Sequence, residues 1–276
     1  MLVRFQNSPI ETSQMTTAEL RSTFLVETLI SENQLQLVYS HYDRVITGGA
    51  KPVGMKVELE NEPELRAGFF LERREIGIIN VGGTGTIEAD GETFALNKLD
   101  CLYLGKGTKQ VFFLSNNQKD PAVYFLLSAP AHATYPNQKL SKEEASPVSI
   151  GEIATANQRT IYKYIHADGI KSCQLVMGLT TLNNGSVWNT MPPHTHTRRM
   201  EVYFYFDVQE QQRVFHFMGE PNQTRHLLVA NHQAVLSPPW SIHSGAGTSN
   251  YSFIWGMAGE NYTFTDMDQV AIAELL

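Results

Sequence analysis

His194 and His196 are separated by one threonine, and Glu201 follows four residues after the second histidine. On an extended strand, residues two apart project from the same face, so both imidazoles can address one point. The run Val202-Tyr203-Phe204-Tyr205-Phe206 then reads as a further strand, making Pro192 to Phe206 a strand-turn-strand unit. Two nitrogens and one carboxylate from such a unit suit a borderline divalent ion such as zinc. A fourth ligand has to come from elsewhere in the chain. His243, closing Ser237-Pro238-Pro239-Trp240-Ser241-Ile242-His243, is the best-placed candidate. His226 and His232 are further pocket candidates. His216, between Phe215 and Phe217, reads as a strand histidine without a catalytic part, and His41, His132 and His166 lack ligand spacing.

The elements that would position these residues are mostly short strands. Near the start, Thr16 and Glu19 form a capping-box pattern ahead of Leu20 and Phe24, which predicts a short amphipathic helix. From about Leu35 the chain alternates brief apolar runs with Gly, Asn and Asp. Asp90-Gly91 is a hairpin signal, because both central residues of that turn need positive φ. Gly82-Gly83-Thr84-Gly85 leads into a strand, not a helix, which favours a turn over a phosphate loop. Between Ala129 and Gln158 the rhythm lapses into a proline-punctuated, charged stretch, and strand-like runs then resume from Thr160 to Trp255. Asp266 to Ala273 reads as a capped terminal helix.

An internal echo suggests two related halves. Glu72-Arg73-Arg74-Glu75-Ile76-Gly77-Ile78 parallels Arg198-Arg199-Met200-Glu201-Val202-Tyr203-Phe204 at an offset of about 125, with one residue inserted. Opposite His194 and His196 the first half has only residues such as Gly68, Phe69, Phe70 and Leu71, and opposite His243 it has Gln110. The expected fold is all-β: two barrels with a few short helices. The first, metal-free barrel is expected over 1–135, a linker over 136–157, and a metal-binding barrel over 158–276.

Composition narrows the function classes. A net charge of -7 disfavours a nucleic-acid partner, because phosphate binding needs a basic surface. No apolar run is long enough to span a bilayer and the start has no signal-peptide pattern, so a cytoplasmic location is the default expectation. Cys101 and Cys173, the only two cysteines, have no metal or disulfide spacing and read as reduced and buried.

His-x-His-x4-Glu with a later Pro-x4-His resembles the two motifs of the cupin superfamily. Trp188, Val208 and Trp240 stand where that pattern expects glycine, and Gly247 replaces its trailing asparagine. Longer runs carry a closer likeness, including Trp188-Asn189-Thr190-Met191, Arg198 to Phe206, Thr224-Arg225-His226, Trp240 to Gly245 and Phe253 to Met257. These resemble the 5-keto-4-deoxyuronate isomerase family over most of the chain. The resemblance implies a bicupin fold and one zinc per subunit, held by His194, His196, Glu201 and His243. It also implies a homo-oligomer, as a hexamer. The implied reaction converts 4-deoxy-L-threo-5-hexosulose uronate to 3-deoxy-D-glycero-2,5-hexodiulosonate in pectin and uronate breakdown.

Such an aldose-ketose isomerisation builds negative charge on an enediolate, which a redox-silent Lewis acid stabilises. Glu201, Tyr203 and Tyr205 share strand parity, so one of these groups is a candidate for moving the proton. The small acidic keto-sugar needs a cation for its carboxylate; Arg198, Arg199 and Arg225 are candidates, with parity allowing only one of the adjacent pair into the pocket. A cupin dioxygenase with a redox metal, or a non-catalytic sugar-binding barrel, would use the same ligand set.

Overall fold

A computed structural model describes residues 1–260, 263 and 266–276. Two barrels of the same construction face each other. Each consists of a seven-stranded sheet over a four-stranded one. In the first barrel the large sheet runs Leu2–Arg4, Leu35–Ser40, Ile46–Ala50, Tyr124–Pro130, Arg74–Asn80, Cys101–Leu104, Gln138–Leu140. In the second it runs Val148–Ile150, Arg159–Ile165, Val176–Leu182, Ser252–Gly259, Arg199–Phe206, Ala234–Ser237, Leu25–Val26. The last of these strands comes from the opposite end of the sequence: Leu25 and Val26 pair with Val235 and Ala234, so the chain's first segment completes the second barrel. Residues 136–157, read as a linker, carry two short strands, Gln138–Leu140 on the first sheet and Val148–Ile150 on the second.

Local signals act where the turn chemistry is strong. The helix Thr17–Phe24 is capped by Thr16, whose side chain accepts from Glu19 N while Glu19 reaches back to Thr16 N. Asp90 (φ 48°) and Gly91 (φ 85°) form the two-residue turn between Gly85–Ala89 and Glu92–Leu96. Gly82 to Thr84 is a turn that opens this strand, not a helix.

The strand Arg199–Phe206 is buried along its whole length because each face meets a different partner. Arg199, Glu201, Tyr203 and Tyr205 share the face toward the second barrel's interior. Met200, Val202 and Phe204 turn toward the first barrel, where Phe204 stacks on Phe125 with ring centroids 4.8 Å apart. A Cβ at Gly77 would collide with Met177, so this glycine permits the two large sheets to approach. Polar ties cross the same seam. Asp43 Oδ2 accepts from Met200 N at 2.7 Å. The buried Glu75 carboxylate accepts from the backbone N–H groups of Cys173, Gln174 and Leu175 and from the Tyr103 hydroxyl, at 2.7, 2.9, 3.1 and 2.8 Å.

The registers correct the echo. Ile76 pairs with Leu104 as Glu201 pairs with Ser237, and six residues on from these partners lie Gln110 and His243. Ile76, not Glu75, therefore occupies the place of Glu201, and no residue is inserted. A one-residue slip reverses the face of every side chain, which is why Glu75 points at the other barrel. The terminal helix is also corrected: Asp268–Gln269 is a strand paired with His194–Thr195, followed by a single 3-10 turn at Ile272–Glu274. Cross-strand pairing there overrides the local capping pattern. Cys101 is buried and Cys173 only partly so; both are free thiols.

Candidate metal centre

His194 lies on a two-residue strand, His196 just beyond its end, Glu201 on the buried strand Arg199–Phe206, and His243 immediately before the strand Ser244–Gly247. One potential ligand atom from each lies within 4.8 Å of all the others. Glu201 Oε2 is 3.0 Å from both His196 Nε2 and His243 Nε2, and the latter is 2.9 Å from His194 Nε2.

The donor set fits a divalent ion. His196 Nδ1 is 3.0 Å from the carbonyl oxygen of Arg199, an acceptor, so the proton of a neutral His196 belongs on Nδ1. Its Nε2 lone pair then faces a carboxylate oxygen. One Nε2–H on His243 cannot serve both His194 and Glu201 along good directions. Four lone pairs converging in a buried space repel one another unless a cation lies among them, and three imidazoles with one carboxylate suit zinc-like ions. Without an ion, protons compensate in part. Burial, reinforced by His243, pushes the His194 imidazole down to about 3 and keeps it neutral. Burial also disfavours charge on His196, but its bond to Glu201 outweighs this and raises it. Burial disfavours the Glu201 carboxylate too, yet His243 and His196 hold it well below the usual range.

The cluster opens on a cavity of about 460 Å³ whose lining includes His194, Glu201, Arg199 and Tyr203. The Tyr203 hydroxyl is 3.0 Å from Thr190 Oγ1. Burial and the Glu201 charge push its phenol well above the ordinary range, so at neutral pH it is a hydroxyl and not a phenolate. Tyr205 shares the parity but not the cavity: its hydroxyl is 2.7 Å from His216 Nδ1. His216 is therefore more than an isolated strand histidine. It is buried beside Tyr203, with ring centroids 5.4 Å apart, and burial pushes it down to about 3.

The three candidate arginines separate. Arg199 is buried at the cavity wall and pairs with Asp266 at 2.8 Å. Arg198, of opposite parity, does not line the cavity and pairs with Asp266 and Asp268 at 3.3 and 3.1 Å. Arg225 is elsewhere: it donates to the carbonyls of Thr12, Ser13 and Met15, tying the chain's first helical segment to the second barrel. His226 packs against Phe215 with the rings tilted, and His232 stacks on Phe204; neither lines the cavity.

Sequence reasoning missed another part of the lining, on the same sheet as Glu201 but two intervening strands away. Arg159, Ile161 and Lys163, alternate residues of the strand Arg159–Ile165, all line the cavity. Arg159 donates to the carbonyl of Asn157 at 2.8 Å, and among the described residues no carboxylate lies within ion-pair distance of it. Burial lowers its pKa, while the nearby Tyr203 and Tyr251 hydroxyls favour its charge. The signal was only the alternation Arg-x-Ile-x-Lys, which any half-exposed strand can show.

A pair of β-barrels with three histidines and one glutamate gathered inside the second is the architecture of a bicupin, with one candidate metal site among the described residues. The chain belongs to the KduI/IolB family, whose model matches residues 24–273. It is 55% identical over 275 residues, covering 100% of both chains, to the 4-deoxy-L-threo-5-hexosulose-uronate ketol-isomerase of Shouchella clausii. Against the protein of that name from Halalkalibacterium halodurans it is 53% identical, covering 99% of each. Among solved structures, an IolB-like protein from Salmonella typhimurium superposes with a TM-score of 0.72 at 15% identity, over 90% of this chain and 97% of that one. The oxalate decarboxylase of Bacillus subtilis gives 0.55 at 9% identity, over 81% and 71%. At those identities the likeness is one of fold.

Proposed function

We propose that this chain is a metal-dependent ketol-isomerase that converts 4-deoxy-L-threo-5-hexosulose uronate to 3-deoxy-D-glycero-2,5-hexodiulosonate. The observation that carries the reading is the cluster His194, His196, Glu201 and His243 opening on a cavity with cationic walls, in a chain 55% identical to an enzyme of that name. Those four residues are the ligands, and zinc, one per subunit, is the ion. An isomerisation needs no redox change, and the mixed nitrogen-oxygen set suits it. When bound, the ion supplies Lewis-acid stabilisation for the negative charge that develops on oxygen. The family likeness further supports a homohexamer. Among the described residues no helix is long and apolar enough to cross a membrane.

The chain's own groups divide the remaining work. Arg159 receives the sugar carboxylate, because among the described residues it is the cavity arginine with no carboxylate within ion-pair distance, whereas Arg199 already has Asp266. Tyr203, held by Thr190 and kept protonated, donates a hydrogen bond to a substrate oxygen and passes a proton there. Glu201, the carboxylate on the same strand face, is also a candidate base, provided the ion holds it loosely enough to leave an oxygen free. Tyr205 acts through packing and its bond to His216.

Two substitutions separate these parts. Arg159→Gln is expected to raise KM about 10- to 100-fold, the worth of one charged hydrogen bond, with metal content unchanged. An unchanged KM would move the carboxylate site elsewhere. Tyr203→Phe is expected to lower kcat on the order of 10²-fold while metal stays bound; turnover within twofold of the parent would remove the hydroxyl from the reaction. The reading as a whole is tested by assaying isomerisation of the named substrate under argon, before and after chelation and zinc restoration. Activity that requires oxygen, or survives complete metal removal, would overturn it.

A further inference from the structure

The first barrel has a mouth of its own. A cavity of about 510 Å³ lies there, with Arg73, Arg74, Tyr39, His41 and Glu64 in its lining. Arg74 begins the strand Arg74–Asn80 as Arg199 begins Arg199–Phe206, so the two arginines stand at matching places in the two barrels. Their surroundings differ in one respect. Arg199 pairs with the Asp266 carboxylate. Arg74 is 6% exposed, yet its partners among the described residues are neutral: Nε donates to Ser128 Oγ at 3.0 Å, and Nη2 to the carbonyls of Ser128 and Arg44 at 2.9 and 2.7 Å.

A buried guanidinium without a counter-ion is unfavourable, and here burial pushes its pKa down to about 10. Among the described residues no carboxylate is within ion-pair distance of Arg74 or Arg73, although Glu64 also lines the cavity. Arg73 anchors one nitrogen on the carbonyls of Leu65 and Arg66, which holds a second guanidinium at the cavity. The rest of the lining is largely apolar, with Val3, Leu65, Phe70 and Pro130. Two guanidinium groups in the lining of a largely apolar recess match an anion with an organic body better than a bare inorganic ion.

We propose that the mouth of the first barrel is a binding site for a small organic carboxylate, with Arg73 and Arg74 as its receptors. This site is separate from the candidate metal centre and does not depend on the isomerase reading. Retention of Arg74 at the matching position, in a barrel whose ligand positions hold Ile76 and Gln110, is then explained by an anion that replaces Asp266 as the counter-charge.

The test is a titration of the zinc-loaded, full-length protein with 4-fluorobenzoate, followed by fluorine NMR. The expected result is saturable binding that survives both chelation and Glu201→Gln. It should weaken at least tenfold in Arg73→Gln, a surface change that leaves folding intact, and in Arg74→Gln if that variant folds. 4-Fluorobenzamide, of similar shape but neutral, should bind at least tenfold more weakly. No saturable binding, equal affinity for the amide, or affinity undiminished by Arg73→Gln would overturn the proposal. So would binding lost on chelation, which would place the probe at the metal centre. A change in assembly mass in Arg73→Gln without a change in probe affinity would make this face a subunit contact and also overturn it.

Discussion

Glu201→Gln is expected to strip the protein of its metal and to lower turnover by a factor on the order of 10³ or more, the equivalent of several kcal/mol of lost Lewis-acid stabilisation. The carboxylate is the only anionic member of the four-residue cluster, and its Oε2 is 3.0 Å from two imidazole nitrogens. An amide of the same shape supplies no negative charge to balance a divalent ion, and three neutral imidazoles alone hold it more weakly. The barrel itself should remain folded. His196 keeps its bond to the Arg199 carbonyl, and the strand Arg199–Phe206 keeps its pairing on both sides. Elemental analysis, circular dichroism and the isomerase assay on the same preparation check this. A variant that retains one metal per chain and near-parental turnover would remove Glu201 from the site.

A second large effect is expected far from that cluster. Glu75→Ala should destabilise the protein by about 3–5 kcal/mol, because it removes the acceptor of three backbone N–H groups and one phenol at the seam between the barrels. At about 2–4 °C per kcal/mol for chains of this size, the melting temperature should fall by roughly 6–20 °C. Glu75→Gln keeps an acceptor and most of the shape, so its loss should be smaller. The Tyr103 hydroxyl, pushed up by burial and by the charge of Glu75, stays protonated and can donate at any physiological pH. Differential scanning calorimetry of the metal-loaded variants decides it, and a shift below about 2 °C would show that the cradle contributes little.

The two effects illustrate what was legible in the chain. His194 and His196 are two apart, so strand periodicity alone can bring them to one face, whereas Glu201 joins them across the turn that follows; on its own strand the parity of Glu201 admits Arg199 and excludes Arg198. His243 was reachable through the proline turn that precedes it. Glu75 was misplaced because the two halves were matched by residue identity. Pairing partners, not letters, set the register, and Ile76 holds the equivalent position. Arg159 was passed over because it reaches the cavity through two intervening strands, Val176–Leu182 and Ser252–Gly259. Arg225 was wrongly drawn toward the cavity because a basic residue within a family-like run does not reveal which side of its sheet faces inward.

The sequence by itself determined the strand-rich class, the capped helix after Thr16, the Asp90-Gly91 turn and the spacing that makes His194 and His196 a candidate pair. Each of these is decided by neighbours a few residues apart, through backbone sterics and the two-residue repeat of a strand. Only the tertiary structure decided that Leu25–Val26 completes the second barrel, that the tail pairs beside His194, and that Arg159 faces the cavity while Arg74 lies buried with no carboxylate of the described residues within ion-pair distance. Those outcomes depend on which strands pair across long stretches of chain. That choice is made by the simultaneous burial of many side chains, which no short window of sequence contains.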